Sequence, residues 1–169
     1  MIKKDIGYIL TNANLNKTSV VVEAGSGSGA LTIFLALFCK KVISYEERKD
    51  FLDIAKKNVE SFNLENVLFR NKNIKDLKEK QVDAVILDVL EPENVLVNIH
   101  KSLKPGNYLV CYITNIPKVQ ILINKTKDLF YYEKTVEILE RSWLIDELRA
   151  RPNSQMLGHT GFLVFLRRI

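Results

Sequence analysis

Cysteine is scarce in this chain: there are two, Cys39 and Cys111, among 169 residues. Each sits in an apolar run, far from the other and without metal-ligand spacing. A disulfide framework and a cysteine-based metal centre are therefore not expected, and both residues read as small core side chains. Long hydrophobic runs are absent too, which excludes a membrane-spanning helix. The opening residues Met1-Ile2-Lys3-Lys4-Asp5 lack the apolar core of a signal peptide. A cytoplasmic protein with no membrane partner is expected. No internal repeat, low-complexity stretch or composition break divides the chain, so residues 1–169 are read as a single domain.

Hydrophobic residues make up 47% and charged residues 27%, the balance of a packed domain rather than a disordered one. Twenty-five Lys and Arg oppose twenty Asp and Glu, for a net charge of +5. A mildly basic surface is compatible with a polyanion such as RNA and does not by itself require one.

The most informative stretch is Val20-Val21-Val22-Glu23-Ala24-Gly25-Ser26-Gly27-Ser28-Gly29-Ala30-Leu31-Thr32. Three β-branched residues run into a carboxylate, glycines alternate with serines, and an apolar run to Phe38 follows. The pattern predicts a buried strand, a tight glycine turn and a helix. Glycine permits positive φ and lets a ligand approach the backbone, and the helix start offers free N–H groups. Two ligands suit such a turn. Gly25-x-Gly27-x-x-Ala30 fits the dinucleotide fingerprint, whereas Glu23 followed by Gly25-x-Gly27-x-Gly29 fits the loop that holds S-adenosylmethionine.

Strands are predicted at Val42–Glu46, Val67–Arg70, Val82–Asp88, Tyr108–Ile113, Tyr132–Ser142 and Thr160–Arg167. Helices are predicted over residues 5–11, 31–38, 48–62, 94–103 and 119–130. In the 48–62 helix Leu52, Ala55, Val59 and Phe62 mark the apolar face. Residues 143–158 read as irregular. Alternation of strand and helix to about residue 130 implies a parallel sheet covered on both faces. The last two strands, with no helix between them, imply an antiparallel pair at one edge.

Ligands of open parallel sheets gather at the carboxyl ends of the strands. Glu23, Glu46 and Asp88 are all placed there, where a carboxylate is expected to face a ligand rather than the core. Glu46 lies about twenty residues beyond the glycine turn, the position from which an acid binds ribose hydroxyls. Three acids suit a cationic sulfonium better than two phosphates.

With these residues in view, the chain resembles the tRNA (adenine-N1)-methyltransferases that modify the T-loop. The resemblance rests on Lys4-Asp5, Val22 to Thr32, Ser44-Tyr45-Glu46, Leu87-Asp88-Val89-Leu90-Glu91-Pro92, Tyr112-Ile113-Thr114-Asn115-Ile116, and Gly158-His159-Thr160-Gly161-Phe162-Leu163-Val164 with Arg151-Pro152 before it. It implies an α/β, Rossmann-like S-adenosylmethionine-dependent methyltransferase fold, with a mostly parallel seven-stranded sheet and a C-terminal antiparallel strand pair. It implies that Glu23, Gly25, Ser26, Gly27, Ser28, Gly29, Glu46, Asn73 and Asp88 contact the cofactor. Asp88 would be catalytic, while Tyr112, Asn115, Arg151 and His159 would hold the target adenine. No metal is implied. tRNA would be the substrate and a homo-oligomer, usually a tetramer, the assembly.

The resemblance covers the catalytic domain only; the small N-terminal β domain of the family has no match in these residues. Asn73 stands where the family has Asp, Glu93 where it has Trp, and Thr114 where it has Pro. These departures keep two alternatives open: a small-molecule methyltransferase of the corrin-precursor type, and a non-catalytic subunit that binds the cofactor or RNA.

Overall fold

The computed structural model describes residues 1–169. In chain order the elements are α1 (Lys3–Asn12), β1 (Val20–Ala24), α2 (Ala30–Phe38), β2 (Lys41–Tyr45), α3 (Lys49–Glu60), β3 (Val67–Arg70) and β4 (Val82–Leu87). There follow α4 (Leu96–Ser102), β5 (Leu103–Ile113), α5 (Ile116–Thr126), β6 (Phe130–Glu137), β7 (Trp143–Ile145), β8 (Ala150–Pro152) and β9 (Phe162–Arg168). Short 3-10 turns occupy Ile74–Asp76 and Pro92–Asn94. No helix is long and apolar enough to cross a membrane.

Seven strands form one sheet in the order β3-β2-β1-β4-β5-β9-β6. β3, β2, β1, β4 and β5 run parallel to one another, while β9 is antiparallel to both β5 and β6. The expected antiparallel pair is therefore present, with β9 inserted inside β6 rather than outside it. The order reverses between β1 and β4, which opens a crevice at their carboxyl ends.

Side-chain alternation along the strands divides the core into two layers. Val22, Val85, Leu109 and Val164 face one way and pack with Leu96 and Ile99 of α4 and Leu122 of α5. Val21, Ala84, Val110 and Phe165 face the other way and pack with Ile6 and Ile9 of α1 and Leu35 of α2. Cys39 and Cys111 are buried and unpaired, as core residues should be.

The departures from expectation have local causes. α3 ends at Glu60, so Phe62 falls beyond the helix and is exposed instead of completing the apolar face. β5 begins at Leu103 and carries the expected Pro105-Gly106 turn as an irregularity: its pairing with β4 jumps from Val82↔Leu103 to Ala84↔Tyr108. β6 stops at Glu137, short of Ser142. The segment read as irregular contains a small antiparallel hairpin, β7–β8, separate from the main sheet.

Candidate active site

The glycine turn takes the conformation that only glycine adopts readily. Gly25, Gly27 and Gly29 have φ of 88°, 52° and 81°. Gly25 N–H donates to the Tyr45 carbonyl and Asp88 N–H to the Ala24 carbonyl, joining the ends of β1, β2 and β4. A Cβ on Gly25 would lie 2.2 Å from the Asp88 carbonyl oxygen. The turn and the Asp88 loop thus meet backbone to backbone. Gly25→Ala forces either the turn or Asp88 to move, on top of about 1–2 kcal/mol for a left-handed alanine. A depressed melting temperature and a weakened methyl-donor affinity in titration are the expected outcomes.

Glu46 follows β2 and is buried, at 6% exposure. Its Oε2 accepts the Gly27 N–H at 3.2 Å and its Oε1 the Arg48 N–H at 3.0 Å. Both oxygens keep lone pairs, so the carboxylate is held in place and still able to accept hydroxyl donors.

Glu23 differs from expectation. It does not stand at a solvated strand end but within β1, at 1% exposure. Its Oε1 accepts from the Thr32 and Ser44 hydroxyls, while Oε2 has no partner in the protein. Burial pushes its pKa up to about 7, against the lowering effect of the two hydroxyls, with Asp88 and Glu46 adding repulsion. Thr32 and Ser44 belong to the site, and no local pattern in the sequence marks them for it. They lie nine residues after and twenty-one residues after Glu23, and only the helix return and the β1–β2 pairing bring them in.

Asp88 follows β4 and is half-buried. Burial raises its pKa, and the Met1 amino group, 3.7 Å from Oδ2, works in the opposite direction.

The serines of the turn divide. Ser26 is buried and its hydroxyl is 2.5 Å from that of Ser44, so it offers a ligand only its backbone. Ser28 accepts from the Asn58 amide through its carbonyl. Asn73 caps the 3-10 turn, its side-chain carbonyl accepting from Lys75 N–H at 2.9 Å and its amide donating to Glu47 at 2.6 Å.

The four residues expected at the target base are less uniform. Tyr112 is buried on β5, its ring against Gly161, its hydroxyl beside Thr160. Burial foremost, and then the carboxylates of Asp5 and Asp88, raise the phenol pKa, while Thr160 lowers it. Asn115 is the N-cap of α5, its Oδ1 accepting the Lys118 N–H at 3.0 Å. An Asn two residues before a Pro, here Pro117, is the sequence signal for that cap. Arg151 is exposed on the separate β8 and donates to the adjacent Pro152 carbonyl.

His159 is exposed, with Nδ1 2.5 Å from Glu137 Oε1 and Nε2 2.8 Å from the Thr114 carbonyl. Both neighbours are acceptors, so only the doubly protonated ring satisfies them. The Glu137 hydrogen bond, then the Thr114 carbonyl, raise its pKa. A histidine raised in this way stabilises the fold below its ordinary value of about 6.5 and loses that effect as pH rises through the folded value. The melting-temperature gap between wild type and His159→Gln should accordingly shrink on going from pH 6 to pH 9.

The glycine turn at the sheet crevice, with acids from three adjacent strands around it, is the architecture of a Rossmann-like methyltransferase, and a family model described as a methyltransferase domain matches residues 15–151. The TrmI tRNA (adenine(58)-N(1))-methyltransferase of Thermus thermophilus is 39% identical over 98% of this chain and 68% of its own length. The crystal structure of the tRNA (m1A58) methyltransferase TrmI from Aquifex aeolicus matches with a TM-score of 0.96 at 36% identity, over 100% of this chain and 70% of that one. The chain belongs to the tRNA (adenine-N1)-methyltransferase family. A probable cobalt-precorrin-6B C(15)-methyltransferase (decarboxylating) from Methanobrevibacter smithii is also similar, at 32% identity over 77% of this chain and 72% of its own length.

Proposed function

We propose that this chain transfers a methyl group from S-adenosylmethionine to N1 of an adenine in tRNA. One observation carries the reading: Glu23, Glu46 and Asp88 surround a glycine turn whose Gly25 has no room for a side chain against Asp88. The residues fit the cofactor. The unpartnered Oε2 of buried Glu23 suits its ammonium group, Glu46 its ribose hydroxyls, the positive-φ glycines its close approach, and Asn73 its adenine. When bound, the cofactor supplies an electrophilic methyl carbon on a sulfonium.

Asp88 is the catalytic residue of this reading. Its carboxylate accepts a hydrogen bond from the 6-amino group of the target adenine, which enriches N1 in electron density as the N–C bond forms and the methyl–sulfur bond breaks with its electron pair returning to sulfur. The same carboxylate stabilises the positive charge that the base acquires. Most of the remaining acceleration comes from holding the two reactants together. A stacked base must be extruded first, at about a few kcal/mol, and Tyr112, Asn115, Arg151 and His159 are the residues proposed to receive it. We extend the proposal to a cytoplasmic homotetramer, on the family resemblance; light scattering should return four copies of the 19.4 kDa chain.

Incubation with labelled S-adenosylmethionine and unmodified tRNA, followed by nucleoside analysis, is expected to yield 1-methyladenosine. No methyladenosine above a boiled control refutes the assignment. The corrin-precursor reading has the Methanobrevibacter smithii relative and Glu93 in its favour. Salt separates the two: tRNA binding weakens steeply between 50 and 200 mM salt, by about a thousandfold if six phosphates are neutralised, whereas a small-molecule substrate responds little.

A further inference from the structure

Two residues at the start of α1 are charged yet buried. The Lys4 side chain is 7% exposed and that of Asp5 is 0% exposed, and they pair with Nζ 2.8 Å from Oδ1. Lys4 also donates to the Thr160 hydroxyl at 2.7 Å, and that hydroxyl donates to the second Asp5 oxygen at 3.1 Å. Thr160 precedes β9, 156 residues away from Lys4 in the chain. Thr160 runs directly into Gly161, and the Tyr112 hydroxyl lies against that pair of residues.

The next residue completes the hold. A Cβ on Gly161 would stand 2.6 Å from Tyr112 Cζ and 2.9 Å from its hydroxyl. The ring therefore lies directly on backbone that carries no side chain. One residue is anchored by the ion pair, and its neighbour carries the ring and its hydroxyl. Cys111 is the register partner of Leu87, so Tyr112 and Asp88 follow side by side on neighbouring strands and the ring so held belongs to the surroundings of Asp88.

Stability alone is a poor reason for this arrangement. A buried ion pair loses in desolvation most of what it gains in attraction, and well-packed apolar replacements are often neutral or better. What such a network does supply is a defined position for the groups that end it.

We infer that Thr160, held between Lys4 and Asp5, is a positioning residue that fixes the Tyr112 ring beside Asp88 and thereby sets the seat of the target base. This inference rests on the methyl-transfer reading above. Misplacement of a reactant by about 1 Å costs up to a hundredfold in rate, so the effect is in turnover rather than in cofactor affinity.

The test compares wild type with Thr160→Val, which keeps the shape and removes the hydroxyl, and Thr160→Ser, which restores it. Rates on tRNA are normalised to the folded fraction by circular dichroism. Thr160→Val is expected to lower kcat by about ten- to a hundredfold, with the S-adenosylmethionine Kd and the tRNA KM within about twofold of wild type, and Thr160→Ser to recover most of the loss. Tyr112→Phe, which removes only the phenolic oxygen, should give a similar loss, and combining it with Thr160→Val should add little, as expected of residues in one network. If Thr160→Val does not fold, Tyr112→Phe is read in its place. A folded Thr160→Val, or in its place Tyr112→Phe, with wild-type kcat overturns the positioning role and leaves the methyl-transfer reading intact. A wild type inactive on every RNA overturns both.

Discussion

Asp88→Ala is expected to lower the rate of methyl transfer roughly a hundred- to a thousandfold, the range for removal of one charge-stabilising group from a reacting centre. The fold should survive. Asp88 lies after β4 rather than in it, is half-buried, and holds the turn through its backbone N–H, which alanine retains. Burial raises the pKa of this carboxylate against the pull of the Met1 amino group 3.7 Å away, so the interaction lost with it is a partly offset one. Single-turnover rates with saturating cofactor measure the chemical step directly. Asp88→Asn separates charge from shape: the amide keeps an acceptor but cannot stabilise a cation as a carboxylate does, so its rate should lie much nearer to Ala than to wild type.

Glu23→Gln should do two opposite things. In wild type the burial of Glu23 raises its pKa from 4.5 to about 7. The folded state therefore holds the proton more tightly than the unfolded chain. The stability this supplies is complete below pH 4.5 and is lost as pH rises through about 7. At pH 8 the ionised side chain costs about 3 kcal/mol relative to its unfolded reference, at 1.36 kcal/mol per pH unit. Gln carries no such penalty, and its carbonyl still accepts from Thr32 and Ser44. The variant should be more stable than wild type at pH 8 by up to about 3 kcal/mol, and the difference should close near pH 5.

Affinity for S-adenosylmethionine should move the other way. Loss of a charged hydrogen bond to the ammonium, worth about 1.5–3 kcal/mol, weakens binding by roughly ten- to a hundredfold. Wild-type affinity should itself rise as pH passes upward through 7, with proton release on binding. Denaturant melts and calorimetric titrations across pH 5 to 8 measure both effects. A Glu23→Gln chain less stable than wild type at pH 8 contradicts the buried-acid account.

These two acids show what the residues disclose on their own. The glycine turn is legible because strand, turn and helix each leave a local signature, and Gly25, Gly27 and Gly29 indeed take positive φ. The alternation of strands and helices likewise reports a parallel sheet. Whether an acid at a strand end meets solvent is not local. Glu23 occupies the fourth position of β1, flanked by Ser44 of β2 and Ile86 of β4. Its burial depends on that register and on the return of Thr32 over it.

The hairpin β7–β8 is silent in the sequence for a different reason. Its strands have three residues each, most of them exposed, so no alternation toward a core marks them. Lys4, Asp5 and Thr160 carry no local sign of a shared role, because the contact that joins them spans nearly the whole chain.

The central claim is that one cleft, lined by glycine and three carboxylates, accepts a sulfonium donor. Isothermal titration of the purified chain with S-adenosylmethionine, run beside NAD, tests it most directly. The account predicts a single saturating site for S-adenosylmethionine, weakened in Glu46→Gln, and no heat with NAD. A chain that is silent toward S-adenosylmethionine and saturates with NAD contradicts it.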